Sequence, residues 1–107
     1  MESAIEGRVV VERGSTIIRS KVRGPAVIGA GTVIEDSYVG PFTSIGPGCT
    51  LKSCEIENSI VLEGSRVVDA GRLEGSILGK RASVSRRELR PRANRLVIGD
   101  HSIVELS

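Results

Sequence analysis

Two registered series of apolar and small residues run from the N-terminus to Val84. The bulky series begins Ile5, Val11, Ile17, Val22, Ile28 and Ile34, and continues at the same spacing to Leu73, Leu78 and Val84. Two residues before each comes a second series: Ser3, Val9, Ser15, Ser20, Ala26, Thr32 and so on to Gly71, Ser76 and Ala82. Of these only Val9 is not small. Residues two apart point to the same side of a strand, and the residue between them points to the other. The pattern therefore predicts many short strands, each sending one large and one small side chain inward. No segment keeps apolar residues at helical spacing, so helices are not expected.

The strands repeat as a unit. SKVRGPAVIGAGTVIED from Ser20, SYVGPFTSIGPGCTLKS from Ser37 and CEIENSIVLEGSRVVDA from Cys54 align at a constant offset of 17 residues. Each unit divides into steps of six, six and five. Gly24-Pro25, Gly29, Gly31, Gly40-Pro41, Gly46-Pro47-Gly48 and Gly64 fall between strands, where Gly permits positive φ and Pro presets φ near −65°. Three short strands joined by sharp corners make a triangular coil, and coils stack at about 4.8 Å, the ordinary separation of paired strands. Stacking lines up three interior ladders: Ile5, Val22, Val39, Ile56, Leu73; Val11, Ile28, Ile45, Val61, Leu78; and Ile17, Ile34, Leu51, Val67, Val84. The expected class is all-β, a parallel β-helix of about five to six coils. The five-residue step ends the early coils, then moves to Cys54–Ser59, and the residues alone give no reason for the move.

After Val84 the pattern breaks, so the β-helix is expected over residues 3–84. The stretch SRRELRPRAN reads as a basic loop over 85–95. Leu96, Ile98, Ser102 and Val104 restore the frame, so residues 96–107 are expected to return as strands that cap the open end of the helix.

Composition removes several functional classes. The chain has 107 residues, a single Phe, a single Tyr and no Trp, which argues against a stacked-aromatic nucleic-acid platform. Its net charge of +2 is too weak to imply nucleic acid. No apolar run approaches a membrane span and no signal-peptide core is present, so the expectation is a cytoplasmic protein with no membrane partner. Cys49 and Cys54 sit on the small inward series, which suits compact hydrophobes better than a metal site.

The aliphatic hexads resemble those of the bacterial hexapeptide-repeat superfamily, which implies a left-handed coil. Two segments, IEGRVVVERGSTI from Ile5 and SYVGPFTSIGPGC from Ser37, look like the β-helix of long-form glucose-1-phosphate thymidylyltransferases. The tail RPRANRLVIGDHSIVEL from Arg90 looks like the C-terminus of their actinobacterial members. The resemblance covers essentially the whole chain. It implies a C-terminal domain whose parent makes dTDP-glucose from dTTP and glucose 1-phosphate. The parent's Gly-rich phosphate loop and Mg2+-holding acids have no counterpart here, because GPGC at Gly46 and GAGT at Gly29 fall at coil corners. The chain is then expected to be inactive alone, to bind no cofactor itself, and to serve oligomerisation, stability and regulation. Its expected partners are the parent's catalytic domain and further copies of itself, as a homotrimer.

Candidate chemistry is sparse. Hexapeptide acyltransferases use a His as general base, and His101 in GDHS is the lone histidine. The alternative function is accordingly a small acyltransferase using acetyl-CoA, and the competing reading of His101 is an exposed turn residue. Arg86, Arg87, Arg90 and Arg92 belong to a basic run that could pair with the phosphates of an effector, dock an acidic surface, or stay solvated. Glu55, Glu57, Glu63 and Glu74 fall between inward positions and read as outward charges.

Overall fold

The structure is a computed structural model that describes residues 3–86, 93–94, 97–100 and 103–106. Every described element is a β-strand. The first coil is β1 (Ala4–Glu6), β2 (Val9–Val11) and β3 (Thr16–Ile18). The second is β4 (Lys21–Arg23), β5 (Ala26–Ile28) and β6 (Val33–Glu35). Then follow β7 (Tyr38–Val39), β8 (Thr43–Ile45), β9 (Thr50–Glu57), β10 (Ile60–Val61), β11 (Arg66–Glu74), β12 (Ile77–Leu78) and β13 (Ser83–Arg86). Three further strands complete the order: β14 (Ala93–Asn94), β15 (Val97–Ile98) and β16 (Ile103–Leu106). All pair in parallel with the coil above or below, which makes a β-solenoid of about five turns.

The registers match the three ladders. Ile5 lies opposite Val22, Val22 opposite Val39, Val39 opposite Ile56 and Ile56 opposite Leu73. Ile28, Ile45, Val61 and Leu78 continue to Ile98, while Ile34, Leu51, Val67 and Val84 continue to Val104. The aliphatics from Val22 to Val84 on these ladders are fully buried.

The small inward residues do more than leave room. Their hydroxyls tie successive coils together. The backbone N–H of Ser37 donates to Ser20 Oγ at 3.0 Å, and that of Cys54 donates to Ser37 Oγ at 3.2 Å. At another corner Ser65 Oγ donates to Gly79 O at 2.7 Å and accepts from Ala82 N at 3.2 Å. Buried polar groups need such partners.

Four expectations are corrected. Ile5 is 53% exposed and Val11 is 40% exposed, because they belong to the first described coil and no described strand is stacked above them. The third and first sides do not stay separate throughout: β9 and β11 run continuously round a corner, bent at Ser53 (φ 51) and Asp69 (φ 51). Ala70, not Gly71, is the buried small residue at its corner. Within the stretch read as a basic loop over 85–95, the described residues are strand: Ser85 and Arg86 belong to β13, and Ala93–Asn94 pairs with Arg72–Leu73.

Register explains the moved five-residue step. Ser44 lies opposite Ile60 and Leu51 opposite Val67, one residue less than the usual offset. Register then shifts between Val68 and Gly71, so that Cys54 lies opposite Gly71 at the full offset again. A β-bulge returns the residue that the short corner removed.

Candidate functional site

Two of the three outer sides carry paired charges. Arg19 donates to both carboxylate oxygens of Asp36, Nε–Oδ1 at 2.7 Å and Nη2–Oδ2 at 3.0 Å. The hydrogen bonds and charge of Arg19 hold the Asp36 carboxyl below its ordinary value. Lys52 Nζ lies 3.5 Å from Glu35 Oε2, and Lys21 Nζ lies 3.4 Å from Glu6 Oε1. Arg72 bridges two carboxylates that lie opposite each other in register, Glu57 and Glu74, the second at 3.2 Å. Glu63 pairs with Lys80 at 3.7 Å. Glu57, Glu63 and Glu74 are thus outward charges held by cations, as the frame implies.

The third side differs. It is the six-stranded sheet β2, β5, β8, β10, β12, β15. Register places Val10, Val27, Ser44, Ile60 and Ile77 in one outward row along it. Ile60 is 45% and Ile77 46% exposed, and none of the five carries a charge. Beside this row, at the corner before the sheet, stands Phe42, 71% exposed and at φ 60. Phe42, Asn58, Ile60, Gly75 and Ile77 line a groove of about 270 Å3. The sequence carried a signal for it: the chain's lone Phe occupies a corner position that Pro25, Asn58 and Gly75 fill in other coils.

Both cysteines are buried and free. Burial pushes the Cys54 thiol up to about 11, and burial also raises Cys49. Cys49 Sγ donates to Leu62 O at 3.2 Å, standing where Thr32 and Ser65 stand in other coils. Such thiols pack and do not react. Among the described residues no group of three or more His, Cys, Asp or Glu is placed to hold a metal ion. The Gly29 and Gly46–Gly48 segments sit at coil corners, and no described helix follows them to cradle a phosphate. His101, Arg87, Arg90 and Arg92 lie outside the described residues, and of Arg86 only the backbone, at the end of β13, is described.

No protein-family model matches the chain. Curated proteins do. Over 105 residues the chain is 47% identical to glucose-1-phosphate thymidylyltransferase of Streptomyces griseus, covering 98% of this chain and 30% of that protein. The relationship is to glucose-1-phosphate thymidylyltransferases. A second member, from Streptomyces antibioticus, is 45% identical over 97% of this chain and 29% of its own length. The low-salt glycan biosynthesis nucleotidyltransferase Agl11 of Haloferax volcanii is 44% identical over 65% of this chain and 20% of its own. The chain thus spans about 30% of the thymidylyltransferases that it matches. A solved structure described as a putative acetyltransferase from Bacillus cereus aligns with TM-score 0.36 and 10% identity over 97% of this chain and 75% of that one. The resemblance to thymidylyltransferases, read first from the hexads and the tail, holds along nearly the whole chain.

Proposed function

We propose that this chain is the non-catalytic C-terminal module of a cytoplasmic glucose-1-phosphate thymidylyltransferase, and that it sets the enzyme's assembly and stability. The whole protein joins dTTP to glucose 1-phosphate, releasing pyrophosphate, with Mg2+ held by residues outside this module. The observation that carries the reading is the division of labour on its surface. Two sides are laced by ion pairs, and the third presents an uncharged apolar row. A solenoid this thin gains stability by covering such a row, and cyclic closure into a homotrimer covers it in every copy. The basic run of Arg86, Arg87, Arg90 and Arg92 is the part of the chain suited to a phosphate-bearing effector, because guanidinium groups pair with phosphate bidentately.

The experiment compares the full-length enzyme with a version lacking this segment, and with the segment alone. The segment alone releases no pyrophosphate from dTTP and glucose 1-phosphate, with or without Mg2+, since nucleotidyl transfer needs a phosphate cradle and metal carboxylates. The shortened enzyme keeps its catalytic residues but loses oligomeric mass and thermal stability. Pyrophosphate release by the pure segment, or an unchanged mass for the shortened enzyme, overturns the reading.

A further inference from the structure

We propose that the returning coil, β14 to β16, is a hinged end cap that opens as a unit, and that the Asp100 carboxylate clasps it shut.

The two ends of the solenoid differ. At the first described coil Ile5 and Val11 are exposed, whereas at the other end Leu73, Leu78 and Val84 are fully buried. Register puts Asn94 against Leu73, Ile98 against Leu78 and Val104 against Val84, so the returning coil lies over all three ladders and seals them. Its own attachment is slight. β14 and β15 pair through two residues each, and among the described residues no strand pairs with β14, β15 or β16 on the far side. Segments held on one side open at the low end of a protein's stability range. The chain also takes a longer way round to reach this coil: the step from Lys80 to Asp100 is 20 residues, against a repeat of 17.

The clasp sits where that step ends. Asp100 closely follows β15, and its Oδ1 accepts from the backbone N–H of Lys80 at 2.7 Å. Gly79 makes the approach possible, because a Cβ there would fall 2.5 Å from Asp100 Oδ1 and 2.6 Å from Asp100 N. The corner residues equivalent to Lys80 are Arg13, Ala30, Pro47 and Glu63. Pro47 has no N–H, so a coil does not need this bond in order to turn. Earlier corners are tied backbone to backbone, as by Gly48 N to Ala30 O at 2.8 Å and Arg81 N to Glu63 O at 2.9 Å. At the last corner a carboxylate adds a tie of its own, and a bond to a charged acceptor is stronger than a neutral one. With the clasp made, the ladder ends are sealed. With it broken, the cap swings away and bares Leu73, Leu78 and Val84 while the coils beneath stay folded.

The test is amide exchange of the 107-residue chain, read strand by strand by NMR. Asp100→Ala removes the acceptor. Lys80→Pro removes the donor and installs a residue that the fold already holds at an equivalent corner, as Pro47. Each is expected to speed exchange in β15 and β16 by roughly fivefold, the factor carried by losing a carboxylate-to-backbone cap, and to leave β8 and β9 unchanged. The double variant is expected to match the single ones, because both remove the same bond. Asp100→Asn keeps an acceptor oxygen, and Lys80→Ala keeps the N–H while removing the 3.7 Å pair with Glu63. Both are expected to stay within about twofold of the unsubstituted chain. Unchanged exchange in β15 and β16 of Asp100→Ala, full additivity in the double variant, or a rise shared equally by β8 and β9 overturns the proposal.

Discussion

Single side chains show most sharply how alternation was turned into burial. Ile45 is 1% exposed in mid-ladder, and its neighbour Ser44 points outward between Val27 and Ile60. Ile45→Ala should cost about 2–5 kcal/mol, from lost transfer energy and the cavity left behind. Ser44→Ala should change stability by less than about 0.5 kcal/mol. Urea unfolding of the two variants checks the pair, and equal shifts would refute the assigned faces. Cys54 offers a pH test. Its folded thiol titrates at about 11, raised by burial, so the unfolded chain releases this proton first as pH rises. The unfolded state then binds fewer protons than the native state, and stability falls with rising pH from the ordinary thiol range, about 8.5, up to the folded value. Cys54→Ser should remove that alkaline loss, of the order of 2 kcal/mol. It should also keep the stacking bond, because Ser20 and Ser37 already occupy the same ladder. Melting curves of both proteins across pH 7–10, roughly the window in which a free thiol ionises, decide it. The faces of these residues were legible because a strand's side-chain period is two. The bonding of the small hydroxyls was not, because a requirement for small size hides a requirement for an acceptor.

Among the turns, glycine serves two separate physical needs. At Gly31 and Gly48 an added Cβ would meet nothing, and positive φ (69° and 67°) is the whole reason for the residue. At Gly29 the reverse holds: an added Cβ would fall 2.5 Å from the backbone of Gly46 and Pro47 in the next coil. Gly48→Asn should therefore be nearly neutral and Gly48→Ala should cost about 1 kcal/mol. Gly29→Ala should destabilise more than either, since backbone must move and the bond from Gly29 N to Ile45 O (2.7 Å) must stretch. Chemical denaturation of the three variants ranks them; a Gly29→Ala variant no worse than Gly48→Ala would show that coil contact is loose there. The corners themselves were readable from Gly and Pro. Their two roles were not, because identity alone does not say whether φ or space is limiting. Ala70 escaped for a related reason: an inserted residue at a bulge breaks the count that located every other inward position.

The whole solenoid is uneven along its axis. Its class, its parallel stacking and its return at Ile98 and Val104 followed from patterning, because one thin core leaves few ways to bury three aliphatic ladders. Exposure at the first coil did not follow, since Ile5 and Ile56 look alike in sequence and differ in how many described strands flank them. Ile5→Ala should accordingly cost less than about 1 kcal/mol where Ile56→Ala costs about 2–5 kcal/mol, although both stand on one ladder. Amide exchange should be fastest in β1, β2 and β3 and slowest in β8 and β9; uniform protection along the axis would contradict this. The outer face was half legible: strand alternation turns Val10, Val27, Ile60 and Ile77 outward, whereas the groove beside Phe42 emerges only when coils are stacked. The short corner and the bulge that restores register carry a further lesson. A chain that folds by laying each turn on the last could be ruined by one missing residue, as a slipped thread ruins a weave. Here the loss at Cys54–Ser59 is cancelled by Asp69–Ala70 before the coil closes, and a longer step, Lys80 to Asp100, is absorbed without moving the ladders. Length can thus change at a corner while phase is kept, which lets such a rod gain or shed residues over time one turn at a time.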